Sequence, residues 1–390
     1  MSGPDPSTRW LSCHVDYACR HSGACCRSGW PLPVETGVVV AIDGAISSGR
    51  LRTIDDEPEW LADSTPAPAG MAGTLRQIAG GCVFHTPASG PAGEGSGRRC
   101  TCAVHTAIGH AALPASCQHF PRVCLIDDRG VRVSLSHYCP TAAAMIVDHG
   151  RPVTIVDGPP AVPGRATPEG LDVRGQLPPR LTDRVLIDLD GLTAWEARVV
   201  AVLAGTAASG SPERAIAQIA ADAKRLAGWS PAAALPLGAT VAALAEDSRD
   251  GGLDEAATGL ADPGTWPAWL EAAAGTCRPP WLAADLPPGL AELDARHVVP
   301  VWGESAAAVR RYLAAKAFGA WITYQADATV SLAAWLTLCH AVLRIECARA
   351  CGTAARPLDR ELLIAAIRQA DLLLVHYADA LAIARSLSAR

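Results

Sequence analysis

The sequence predicts a mostly α-helical protein: an irregular, cysteine-rich N-terminal domain with a short β-hairpin, followed by an all-α domain. Three observations carry this. Ten of the 14 cysteines fall between Cys13 and Cys139, where no period of 2 or 3.6 is sustained. The segment CLIDDRGVRVSLS (124–136) alternates Val131, Val133 and Leu135 behind an Asp-Asp-Arg-Gly turn, the signature of a hairpin. Beyond about residue 185 the composition shifts to Ala, Leu and Arg, with capping signals at regular intervals. The expected organisation is a cysteine domain over 10–150, a Pro- and Gly-rich linker over 151–184 and a helical domain over 185–390.

Taken in order, residues 1–9 read as a disordered polar tail. Gly23 and Gly29 would let the chain turn tightly around Cys25 and Cys26. Residues 35–46 suit a short helix, with strand as the alternative because Val38, Val39 and Val40 are β-branched. Residues 66–72 and 87–99 read as loops from their Pro, Gly and Ser content. Short helices are expected over 103–113 and 141–148. The seven prolines of 150–184 mark a strap between domains. Helices follow at about 193–205, 211–228, 231–247, 304–324, 331–351 and 358–387. Thr193 to Glu196 reads as a capping box and Ser211-Pro212 as a second helix start. Residues 262–300, rich in Pro and Trp, read as a connection.

The cysteines are the chemistry-bearing residues. Seven of the 11 histidines share their stretch, and soft thiolates select zinc or iron–sulfur clusters. No secretory leader opens the chain, so a disulfide scaffold is disfavoured and a cytoplasmic location with reduced thiols is expected. Buried thiols are the plainer reading, and it suits Cys277, Cys339, Cys347 and Cys351 in their apolar helical contexts. Net charge is −6 with only two lysines, Lys224 and Lys316, so neither composition nor a basic run points to nucleic acid. The apolar run over 332–345 is interrupted by His340 and Arg344 and reads as too short for a membrane span. The tryptophans of the helical part read as core residues.

The run ACRHSGACCRSGW (18–30), then GGCVF, CAVH, SCQHFPR and SLSHYCPTAA in that order, resembles the YkgJ-type zinc- or iron-chelating cysteine-cluster family, and within it the flagellin lysine-N-methylase branch. The resemblance covers about residues 10–150. It implies metal ligation by Cys19, Cys25, Cys26, Cys82, Cys102, Cys117 and Cys139. Cys13, though more loosely spaced, is added as an eighth, since eight thiolates would allow two four-ligand sites. Cys100 and Cys124 stand outside the matched motifs. His105 and His110 rank behind the cysteines as candidate ligands, and Arg122 is expected to pair with a carboxylate or a helix end.

Two function classes follow from the resemblance. One is an enzyme that uses an iron–sulfur cluster (4Fe-4S) or zinc and moves a methyl group from S-adenosylmethionine to lysines of a protein such as flagellin. The other is a metal-binding module without turnover, or an electron carrier. The spacing alone does not separate cluster from zinc. No Gly-x-Gly-x-x-Gly follows a strand, no P-loop or Gly-x-Ser-x-Gly occurs, and the C-x3-C-x2-C of radical S-adenosylmethionine enzymes is absent. Catalytic residues are therefore left unassigned.

Overall fold

A computed structural model describes residues 7–62, 70–78, 80–86, 101–162, 168–204, 210–244, 252–274 and 286–388. The expected hairpin forms: strands Arg122–Asp127 and Gly130–Leu135 pair antiparallel from Asp127↔Gly130 to Arg122↔Leu135. Its turn is held by Asp127, whose Oδ1 accepts the Arg129 N–H at 2.9 Å, an Asx turn.

That hairpin is the centre of a five-stranded sheet rather than an isolated ribbon. In spatial order the sheet runs Ile155–Asp157, Thr8–Leu11, Gly130–Leu135, Arg122–Asp127 and Leu171–Asp172. Thr8–Leu11 lies parallel to the hairpin, so residues 8 and 9, expected in a free tail, are ordered by a backbone ladder that no local pattern announces. Likewise the supposed linker supplies both edge strands. None of its prolines falls inside either strand, so no ladder hydrogen bond is lost to them.

The 35–46 ambiguity resolves as helix, Thr36–Ser47, entered from the short strand Pro33–Glu35. The 103–113 helix is cut short: Ala103–Ile108 ends at Gly109, and His110–Ala112 makes a separate 3-10 turn. The loop expected over 87–99 lies outside the described residues, as do Cys100 and Cys277.

The C-terminal part is helical, with several boundaries moved. Ser211 caps Pro212–Leu226 as expected, its Oγ accepting the Arg214 N–H at 3.1 Å. The capping box at Thr193 does not form. The helix Leu189–Ala204 starts four residues earlier, where Asp188 Oδ1 accepts from the Gly191 N–H at 2.6 Å, so Thr193 is internal and its hydroxyl donates back to the Leu189 carbonyl. Glu196, freed from capping, meets Arg132 of the hairpin (Nε to Oε2, 3.3 Å). Among the described residues of 231–247 the helix is Leu237–Ala243, behind Pro236. The stretch 262–300, read as a connection, contains helices Trp266–Ala274 and Leu290–Leu293, the first of them anchored by Trp266, which is fully enclosed.

The longest helix, Val330–Ala354, is 25 residues and by length and apolarity alone could cross a bilayer. Here 72% of its most apolar window is buried inside the protein. It packs against Pro212–Leu226, Trp266–Ala274 and Arg360–Asp371. Its charges are met internally: Arg344 reaches Asp294 at 2.6 Å and lies 4.2 Å over the Trp302 ring, and His340 Nε2 is 2.9 Å from Glu213 Oε1. It is a core helix by its contacts, and Cys339, Cys347 and Cys351 sit in it fully buried, as expected of packing thiols.

The largest hydrophobic cluster crosses from the N-terminal part into the helices, joining Leu11, Cys13, Ala143 and Ile146 to the helical residues, while Trp10, Ile126, Val131, Val133 and Leu135 of the sheet close a separate apolar layer. Polar links cross the same seam: Arg311 donates to the Ile146 and Val147 carbonyls at 2.7 and 2.9 Å, Ser134 Oγ to Ala315 O at 2.9 Å, and Arg368 to Tyr138 O at 3.0 Å. A continuous apolar interface of this kind does not separate on backbone cleavage alone. After limited trypsin digestion, fragments cut between the two parts should therefore co-elute on gel filtration in native buffer and separate only in denaturant.

Candidate metal centre

Between the sheet and the small N-terminal strands lies a cavity of about 490 Å³. Its wall includes Cys19, Cys25, Cys26, Cys82, Cys102, Cys117 and Cys139, brought together from segments up to 120 residues apart. Each arrives by a different device. Cys25 and Cys26 open a 3-10 turn, Cys25–Arg27, flanked by Gly23 and Gly29 at φ +70° and +77°. These are left-handed values that favour glycine. Cys82 ends a two-residue strand paired with Gln77–Ile78, and Cys102 pairs with His85. Cys117 sits on the helical turn Ala115–His119, whose first N–H is accepted by Glu35 Oε1 at 3.0 Å. Cys139 precedes the helix Pro140–Asp148.

The sulfurs interact. Cys25 and Cys26 Sγ are 4.0 Å apart, and Cys26 is also in hydrogen-bond contact with Cys102. That contact lowers the Cys25 thiol and brings Cys102 down to about 7, while Cys26, between two partners that gain by ionising, is pushed up. Burial pushes Cys82 up to about 12 and raises Cys117 further above its ordinary range. Backbone donors also reach the sulfurs: the His21 N–H is 3.4 Å from Cys19 Sγ and the Phe84 N–H 3.5 Å from Cys82 Sγ. Such N–H···S bonds are the ones that tune thiolate ligands.

His105 and His110 also line this cavity, with ring centroids 5.7 Å apart, and His21 is 5.8 Å from His105. Arg122 does not pair with a carboxylate among the described residues. Its guanidinium lies 5.4 Å over the Tyr17 ring, its Nε has no hydrogen-bond partner, and Tyr17 Oη is 3.5 Å from Cys139 Sγ.

The other N-terminal cysteines are elsewhere. Cys13 is buried in the helical core near Arg311, and Cys124 in the apolar layer beneath the sheet, with burial pushing each thiol up to about 12. Cys124 and Cys139 stand near the two ends of the hairpin segment. Only Cys139 faces the cavity, since Cys124 lies inside a strand opposite Val133.

Among the described residues no three His, Cys, Asp or Glu side chains close on one point as a ready single-ion site. A tetrahedral zinc with Zn–S near 2.3 Å needs sulfurs about 3.8 Å apart on every edge. The Cys25–Cys26 pair has nearly that spacing. The donor set is thus soft and abundant but spread over a chamber.

No family model, curated protein or solved structure matches this chain.

Proposed function

We propose that the protein binds iron–sulfur through Cys19, Cys25, Cys26, Cys82, Cys102, Cys117 and Cys139, a set that holds one four-thiolate cluster and leaves ligands for a second site. The observation that supports it is the lining of one cavity by all seven. Buried thiols that repel one another's ionisation need positive charge among them before several can be thiolates together, and iron would supply it. The backbone N–H groups at Cys19 and Cys82 would stabilise the charge left on sulfur. Zinc is the alternative for a subset of these ligands around Cys25 and Cys26.

On the resemblance in the motifs, the reaction served is transfer of a methyl group from S-adenosylmethionine to protein lysines such as those of flagellin. A second cavity adjoining the cysteine chamber favours turnover over a purely structural role. The test is anaerobic purification followed by iron, sulfide and zinc analysis with a visible spectrum. Iron and acid-labile sulfide in equal amounts, with a broad absorption that bleaches in air, are expected. Zinc with a featureless spectrum would leave a structural module, and fully titratable thiols with no metal would end the proposal.

A further inference from the structure

The second cavity, about 480 Å³, opens at the seam between the N-terminal part and the helices. Trp30 and Phe120 enter it from one side, and Trp321, Trp335 and His376 from the other. The rings are held in place. The Trp321 indole N–H donates to Cys124 O at 3.0 Å and that of Trp335 to Lys316 O at 3.1 Å. His376 stacks on Trp30 with centroids 4.0 Å apart and planes 12° from parallel, and its Nε2 is 2.6 Å from Ser136 Oγ. Rings fixed this way form a wall prepared for another flat ring, since no side-chain freedom is lost when one docks.

Two polar groups in the wall lack protein partners of their own kind. Gln325, half-buried on the helix Ile322–Gln325, makes no side-chain hydrogen bond among the described residues, and its amide offers both a donor and an acceptor. Arg122 lines this cavity and the cysteine chamber alike, without a carboxylate among the described residues. A half-buried guanidinium that no carboxylate neutralises has donors left for an anion. Volume, aromatic lining, few polar groups and a position between two parts of the chain match a small-molecule site.

We infer that this cavity binds a ligand joining a flat nitrogen heterocycle to an anionic group, the ring among the aromatic residues near Gln325 and the anion at Arg122, beside the cysteine chamber. This deepens the methyl-donor part of the reading above, although the site is argued from its own lining. A carboxylate and a phosphate are alternative sources of the anion.

The full-length metallated protein is titrated calorimetrically with S-adenosylhomocysteine, adenosine monophosphate and neutral adenosine. At least one charged ligand should bind about tenfold tighter than adenosine, the worth of one charge-assisted hydrogen-bonded pair. Preference for S-adenosylhomocysteine identifies an amino-acid carboxylate as the anion; preference for the monophosphate identifies a phosphate. Arg122→Gln should remove that margin and leave adenosine unchanged. Gln325→Leu, at a half-buried position that the fold tolerates, should weaken all three about fivefold. Binding of none of them by wild type, a margin that survives Arg122→Gln in a variant that melts like wild type, or affinities indifferent to Gln325→Leu would overturn the inference. Metal analysis of the same samples separates this from the cluster proposal, because ligand binding by metal-free protein leaves this site standing alone.

Discussion

Replacing Lys316 with Met should destabilise the protein by about 3–5 kcal/mol, the cost of leaving a buried charge unpaired, read as a fall in the denaturant midpoint. Asp371 is fully buried and Lys316 nearly so. The Lys316 Nζ donates to both carboxylate oxygens at 2.8 and 2.7 Å, Tyr312 Oη to Oδ1 at 2.9 Å, and the His137 backbone N–H to Oδ2 at 2.5 Å. Asp371 therefore ties the helices to the loop that leads into Cys139. Asp371→Ala should cost as much, because it leaves the ammonium buried instead. The double variant Lys316→Met/Asp371→Leu removes both charges and should recover a good part of the loss. If the double variant is as unstable as the sum of the singles, the pair is not acting through charge.

The same region makes the fold acid-labile. Lys316 and His137 hold the Asp371 carboxyl far below its ordinary range despite burial. A depressed acid contributes stability that is complete above the unfolded carboxyl value and is lost as pH falls. His14 and His137, with Nε2 atoms 3.2 Å apart, and His376 are all lowered by burial, His376 to about 4. A histidine buried neutral contributes stability that is complete above about pH 6.5 and is lost as pH falls toward its folded value. Both signs agree, so the melting temperature should be flat above neutrality, fall between about pH 6.5 and 4 as the histidines protonate, and fall further below about pH 4 as Asp371 does.

What could be read from the sequence follows from where each signal is stored. The hairpin at 122–135 and the Ser211-Pro212 helix start were legible because alternation and capping act over a few residues. The outer strands of the sheet were not: Thr8–Leu11 and Leu171–Asp172 are strands only because the hairpin offers them edges more than 40 residues away in sequence. Thr193 misled for the opposite reason. A good local cap lost to Asp188, which let the helix add a turn and released Glu196 to meet Arg132. In the site, ordered motifs singled out the seven cysteines that share the cavity, whereas the aromatic second cavity joins Trp30 to His376 across 346 positions and leaves no local trace.

Single Cys→Ser replacements at Cys19, Cys25, Cys26, Cys82, Cys102, Cys117 and Cys139 should each release a large part of the bound metal. A hydroxyl of serine ionises far less readily than a thiol and is a hard donor where a soft one is needed. The strongest losses are expected at Cys25, Cys26 and Cys102, whose thiols already interact, and loss of metal there should loosen the surrounding turns. Cys13 and Cys124 make the informative contrast. The count of eight, and not the spacing, offered Cys13 as a ligand, but its side chain lies in the helical core with Leu11 and Ile146, and Cys124 is fully buried within its strand. A serine at either position buries a hydroxyl in an apolar setting and should lower stability by about 1–3 kcal/mol while the metal-to-protein ratio stays at the wild-type value. Cys339, Cys347 and Cys351, packed in the long helix, should behave like those two. Metal content and melting temperature measured on all twelve variants sort ligands from packing residues along two independent axes. Retention of metal by the Cys25, Cys26 and Cys102 variants, with loss at Cys13 or Cys124, would place the metal outside the chamber and end the assignment.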